Sequence, residues 1–115
     1  MDITVSQITY TDFKRIDLRV GKIIQVEEFP KARKAAYKLL IDFGAIGTKK
    51  SSAQITKLYS KGDLIGKLVI AVVNFPPRQV ADFLSEVLTL GVVLDNDKVV
   101  LLEPDRDVPP GARIL

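Results

Sequence analysis

Cysteine, histidine and tryptophan are all missing from this 115-residue chain. Without cysteine there is no disulfide, no thiolate nucleophile and no Cys-type zinc or iron–sulfur site. Without histidine, Ser-His-Asp and Cys-His catalysis are excluded, and carboxylates remain as the metal ligands. Aromatic residues make up 7% of the chain, scarce material for the stacking platforms of single-stranded nucleic-acid sites. No apolar run approaches the roughly 18–20 residues of a membrane span. The opening Met1-Asp2-Ile3-Thr4 carries neither a basic n-region nor an apolar h-region. The expectation is a cytoplasmic, soluble protein with no membrane span, no cofactor and no metal.

What is present suits one compact domain over residues 1–115 with a modest core, since 47% of the residues are hydrophobic. The net charge of +3 hides an asymmetry. From Met1 to Arg78 fourteen Lys and Arg face seven Asp and Glu; from Gln79 to Leu115 three face seven. Such polarity fits a basic surface built by the first part of the chain, suited to a polyanion or an acidic partner. The alternative is a solvated surface on which the signs mix after folding.

Strand-period patterns dominate. Asp12 to Ile23 interleaves apolar and charged residues, with Ile16, Leu18 and Val20 on one face, and reads as a long bent strand with a bulge or sharp bend at Gly21. A long curved first strand is what a small closed β-barrel needs. Phe29 to Ala35 is a proline-opened basic loop, and Tyr37 to Phe43, apolar or aromatic at odd positions, is the second strand, ended by Gly44. Gly47 to Ile55 reads as a third strand, too polar for a deeply buried central position. Lys61 to Gly66 is a short helical turn ended by glycine. Lys67 to Asn74 is a β-branched buried strand, which Phe75-Pro76-Pro77-Arg78 must break. Gln79 to Leu84 fits either a short helix or an irregular strand. Glu86 to Leu94 and Val99 to Pro104 are β in propensity, separated by the turn Asp95 to Lys98.

Four segments in order then carry a resemblance: Asp12 to Ile23, Ser52-Ala53-Gln54-Ile55, Val72-Val73-Asn74-Phe75-Pro76-Pro77-Arg78, and Ser85-Glu86-Val87-Leu88-Thr89-Leu90-Gly91. Together they resemble the CsaA-type secretion chaperones, of the wider class of tRNA-binding domains found on methionyl-tRNA synthetases and EMAP-II-like cytokines. The resemblance implies an all-β, five-stranded Greek-key OB-fold barrel with short helical turns. It also implies an N-terminal extension (1–11) and a C-terminal dimerisation extension (99–115), and a homodimer that binds unfolded preproteins or peptides. Partners implied in addition are tRNA and secretion-translocase components. Where the tRNA-binding relatives typically have an Asn-Leu-x-Pro type turn and a Ser-x-Gly-Met segment, this chain has Asn74-Phe75-Pro76-Pro77 and Ser85-Glu86-Val87-Leu88, which moves the reading from tRNA toward peptide. A free-standing tRNA-binding protein of the same fold is the alternative.

Residue by residue, the peptide reading places an apolar anchor, Phe75, fixed by Pro76 and Pro77, beside a polar rim of Asn74, Arg78, Ser85 and Glu86. The competing reading of this turn is a Pro-Pro cover over a barrel end. For nucleic acid, Lys49 and Lys50 beside Ser52 and Gln54 suit phosphate and base-edge contacts, with Arg33 and Lys34 extending the basic face. The same lysines would equally protect an exposed sheet edge, and the loop arginine and lysine would equally be solvated. The Asp95/Asp97 and Asp105/Asp107 pairs lack the glycine and downstream glutamate of a calcium loop. An enzyme is disfavoured, since beyond Asp17 and Glu86 nothing suggests a placed carboxylate pair. Dimer contacts are expected from Ile3, Val5, Ile8, Val108, Ile114 and Leu115, apolar residues that a five-stranded barrel does not obviously need.

Overall fold

The computed structural model describes residues 6–115; the expected contacts at Ile3 and Val5 lie outside that range. The chain does not enter its first strand at Asp12. A short helix, α1 (Tyr10–Lys14), comes first, because Thr9 and Asp12 form a capping box. The Thr9 hydroxyl accepts from the Asp12 N–H at 3.1 Å, and the Asp12 carboxylate accepts from the Thr9 N–H at 3.1 Å. The strand pattern read from Asp12 is therefore corrected at its start: β1 covers Leu18–Glu28.

After β1 come β2 (Tyr37–Asp42), β3 (Thr48–Ala53), the helical turn α2 (Lys61–Leu64) and β4 (Leu68–Val72). Short strands follow: β5 (Arg78–Val80), β6 (Phe83–Ser85), β7 (Leu88–Thr89), β8 (Gly91–Val93), β9 (Val99–Leu101) and β10 (Arg113–Ile114). Every pairing is antiparallel, and the main sheet runs β3-β2-β1-β4-β7. Its two ends approach each other, so the result is a nearly closed five-stranded barrel, the OB-fold expected. The expected helical turn stands at α2, where Ser60 and Asp63 repeat the capping-box arrangement.

β1 serves both halves of the barrel. Leu18 to Lys22 pair with β4, and Lys22 to Glu28 pair with β2. The bulge lies between Ile23 and Gln25, not at Gly21, and it leaves Ile24 exposed. Gly21 has a different task. A Cβ there would run into Ile41 Cγ2 and come within 2.6 Å of the Phe43 ring, so the glycine makes room in the core for a fully buried aromatic. The inward register of β1 thus runs through Gly21 and Ile23, with Lys22 outward and exposed.

Ile23, Leu39, Ile41, Phe43, Leu64 and Val69 are fully buried and form the centre of the core. Each such aliphatic side chain contributes roughly 1.5–3 kcal/mol by burial. The odd-position pattern of β2 appears as expected, with Tyr37, Leu39 and Ile41 buried. Tyr59 bridges the far end, its hydroxyl accepting from the Leu101 N–H at 3.0 Å while its carbonyl accepts from the Tyr37 hydroxyl at 2.9 Å.

The C-terminal residues are partly built into their own barrel. Ile114 pairs with Leu18 and Arg113 with Arg19, and the Gly111 N–H donates to the Val20 carbonyl at 2.7 Å. Gly44 and Gly111, both with positive φ, allow the tail to cross the end of β2 at backbone contact. Ile8 and Leu115 remain largely exposed. Gly21→Ala should destabilise the fold by about 1–3 kcal/mol through overpacking against Ile41 and Phe43. Urea unfolding with an unchanged midpoint would show that the barrel yields at this point.

Candidate functional site

The barrel is closed by side chains as much as by backbone. The chain leaves β6 along the half-buried edge of β3. There the Glu86 N–H donates to the Lys50 carbonyl at 2.8 Å, while Glu86 Oε1 accepts from the Lys50 N–H at 3.0 Å. Ser85 Oγ accepts from the Ser52 N–H at 3.0 Å, and the Ser51 and Thr89 hydroxyls share a hydrogen bond of 2.9 Å. Ser51 is fully buried, so the third strand is more enclosed than its polar sequence suggested. A serine is tolerated there because its hydroxyl has a partner.

Beside this seam lies an apolar hollow of about 450 Å³. Phe75, Pro76, Pro77, Val87 and Leu88 form its apolar wall, and Ser52, Arg78, Ser85 and Glu86 its polar one. Five of the six residues expected to hold a polypeptide therefore meet: Phe75, Pro76, Arg78, Ser85 and Glu86. Phe75 is 50% exposed, an aromatic held open to solvent by two prolines that fix the turn. Asn74 is not brought to this hollow. Its Nδ2 donates to the Arg15 carbonyl at 2.7 Å and its Oδ1 accepts from the Asp17 N–H at 2.9 Å, which ties the link between α1 and β1 to the end of β4.

On the other side of Arg78 is a larger groove of about 720 Å³ between the 30–36 loop and β5. Arg33, Lys34, Ser52, Gln54, Arg78 and Gln79 line it, so four of the residues expected at a nucleic-acid surface come together here. Lys49 and Lys50 do not join them. Lys49 falls on the register of buried Ser51 and Ala53, while Lys50 points its ammonium over the Phe83 ring at 5.5 Å.

Phe83 is the residue that the sequence reading missed. Gln79 to Leu84 forms a hairpin of β5 and β6 whose turn begins at Ala81 with φ 51°, a conformation that alanine rarely signals. The Phe83 ring packs edge-on against Phe29 at 5.5 Å, and Lys38 sits 4.9 Å from Phe29 and 5.6 Å from Phe83. Lys31 and Asp82 add an ion pair of 2.9 Å between the same two loops. The hydrogen bond from Lys31 holds the Asp82 carboxyl below its ordinary range. Because the folded-state value is the lower one, this tie favours the folded arrangement at neutral pH and is lost as pH falls through that value. Together these contacts hold the chain at Phe29 and Lys31 against the β5–β6 hairpin.

The tRNA binding domain family model matches residues 18–113. The chain belongs to this family. It is 36% identical to the methionine–tRNA ligase of Thermococcus onnurineus over 110 residues, 96% of this chain but 15% of that protein. The chain spans less than a fifth of the curated relatives it matches. Among solved structures it is similar to the chaperone CsaA of Bacillus anthracis, with 51% identity and a TM-score of 0.92, covering 96% of this chain and all of that one. The CsaA chaperone protein of Picrophilus torridus is 56% identical with a TM-score of 0.89, covering 95% of this chain and all of that one. No helix among the described residues is long and apolar enough to cross a membrane.

The seam makes Glu86 a structural acceptor. Glu86→Ala should leave the half-buried Lys50 N–H without its partner and cost about 1–3 kcal/mol, whereas Glu86→Gln keeps an acceptor oxygen and most of the stability. Equal unfolding midpoints for the two variants would exclude this role.

Proposed function

We propose that this chain is a binding module without catalytic activity, a homodimeric, export-related chaperone of the cytoplasm that shields unfolded preproteins or peptides. The observation that carries the reading is the hollow at Phe75, where a rigid aromatic and two prolines border Arg78. A preformed apolar wall lowers the ordering cost of capturing an extended segment and tolerates many side chains. The likeness to two proteins described as CsaA chaperones, over nearly the whole of both chains, supports it. A second reading, a free-standing tRNA-binding protein, is favoured by the groove of Arg33, Lys34 and Arg78 and by the family match.

Phe75→Ala should weaken capture of an unfolded polypeptide by roughly 1–2 kcal/mol and leave tRNA affinity nearly unchanged. Fluorescence anisotropy with both ligands, at several salt concentrations and with unfolding curves in parallel, tests this. A folded variant that captures polypeptide as tightly as the parent would remove Phe75 from the role. Tight tRNA binding with a steep salt slope and no polypeptide capture would favour the second reading.

For the dimer, the β8–β9 ribbon joins the terminal residues as a candidate surface. Val92, Val93, Leu94, Val100 and Leu102 are all exposed on it, Val93 at 78%. Val93→Asp should convert a micromolar dimer into a monomer in sedimentation equilibrium. A parent protein that is itself monomeric at that concentration would refute the homodimer.

A further inference from the structure

The cationic groove and the apolar hollow are neighbours that share a wall. Arg78 and Ser52 line both, whereas Arg33, Lys34 and Gln79 belong to the groove alone and Phe75, Val87 and Leu88 to the hollow alone. Ser85 and Glu86, on the polar wall of the hollow, are engaged in the seam. Ser85 Oγ accepts from the Ser52 N–H and donates to the Val87 carbonyl at 3.4 Å, and Glu86 Oε1 holds the Lys50 N–H. The exposed Arg78 guanidinium, by contrast, forms no ion pair or hydrogen bond among the described residues, nor do the side chains of Arg33 and Lys34. Arg78 is therefore the one cationic side chain that lines both cavities, and it stands on the boundary between them.

We propose that a phosphodiester strand in the groove displaces polypeptide from the hollow, with Arg78 as the contested residue. This rests on the reading of the hollow as a polypeptide site. A guanidinium fork taken bidentately by a phosphate has its donors turned to one side and its charge neutralised. A polypeptide in the hollow then loses the donor for its carbonyl or carboxylate groups, and finds phosphate charge along the open side of an apolar wall, where desolvation is costly. The reverse holds when polypeptide is bound first, since linkage between two sites is reciprocal. Occupancy by RNA is thus a control on client capture within a single barrel face.

The test is a competition titration on the full chain. A fluorescein-labelled, permanently unfolded polypeptide is titrated with protein at fixed concentrations of single-stranded oligo(U). Mutually exclusive binding predicts that the apparent Kd rises linearly with free RNA, about elevenfold at ten times the RNA's own Kd. Arg33→Ala combined with Lys34→Ala should require at least about tenfold more RNA for the same displacement, and Arg78→Ala should weaken both ligands. A change below about twofold at saturating RNA, with a ternary complex in sedimentation velocity, would overturn the exclusion while leaving the polypeptide site in place. Failure to bind polypeptide in the absence of RNA would instead overturn the polypeptide reading, and this inference with it.

Discussion

The closure of the barrel along β3 is the constraint on which the rest depends. A two-residue strand, β7, is too short to complete a ladder with six-residue β3, so the amides of Lys50 and Ser52 would be left without partners in a half-buried edge. Glu86 and Ser85 supply side-chain acceptors in place of backbone carbonyls, and buried Ser51 shares a hydroxyl hydrogen bond with Thr89. Ser85 and Glu86 also belong to the polar wall of the hollow at Phe75. Site and seam are therefore one piece of structure, and the polar groups that seemed free to meet a ligand are largely consumed in holding the barrel shut.

A second constraint acts at the opposite end of β2. Phe43 fills the centre of the core only because Gly21 has no Cβ, and Gly44 can turn under the C-terminal segment only because Gly111 lets the two backbones touch. The tail then extends β1 on the edge that β2 has left. Arg19 reinforces this by donating to Asp17 at 2.7 Å and to the Gly111 carbonyl at 3.0 Å, and Arg113 donates to the Lys14 carbonyl at 3.2 Å. The C-terminal strand is so tied to β1, and α1 in turn to the C-terminal strand.

The charge asymmetry acquires a place in this arrangement. Arg33, Lys34 and Arg78, all from the basic first part of the chain, gather at one groove, while Asp82 from the acidic part is spent on Lys31 at its margin. Scarcity of aromatics does not mean that none is exposed to the binding face. Phe75 stands exposed at the hollow, and half-buried Phe83, flanked by Lys38 and Lys50, lines a separate small pocket.

The amino-acid sequence by itself determined the all-β class, the strands β2 and β4, the capped turn at α2, the breaking of β4 by Pro76 and Pro77 and the candidate anchor Phe75, because periodicity, proline and glycine act locally. It also carried the capping box Thr9-x-x-Asp12, a local signal overridden in the reading by the strand-like alternation that follows it. Tertiary structure alone decided the rest. Whether Gly21 is a bulge or a space for a ring depends on Phe43, twenty-two residues away. The turn at Ala81 adopts a positive φ that no local residue preference announces, so the hairpin bearing Phe83 was not legible. The bonds made by Asn74, Ser85 and Glu86 join segments distant in the chain, and only closure of the barrel separates residues that face a ligand from those that hold the seam.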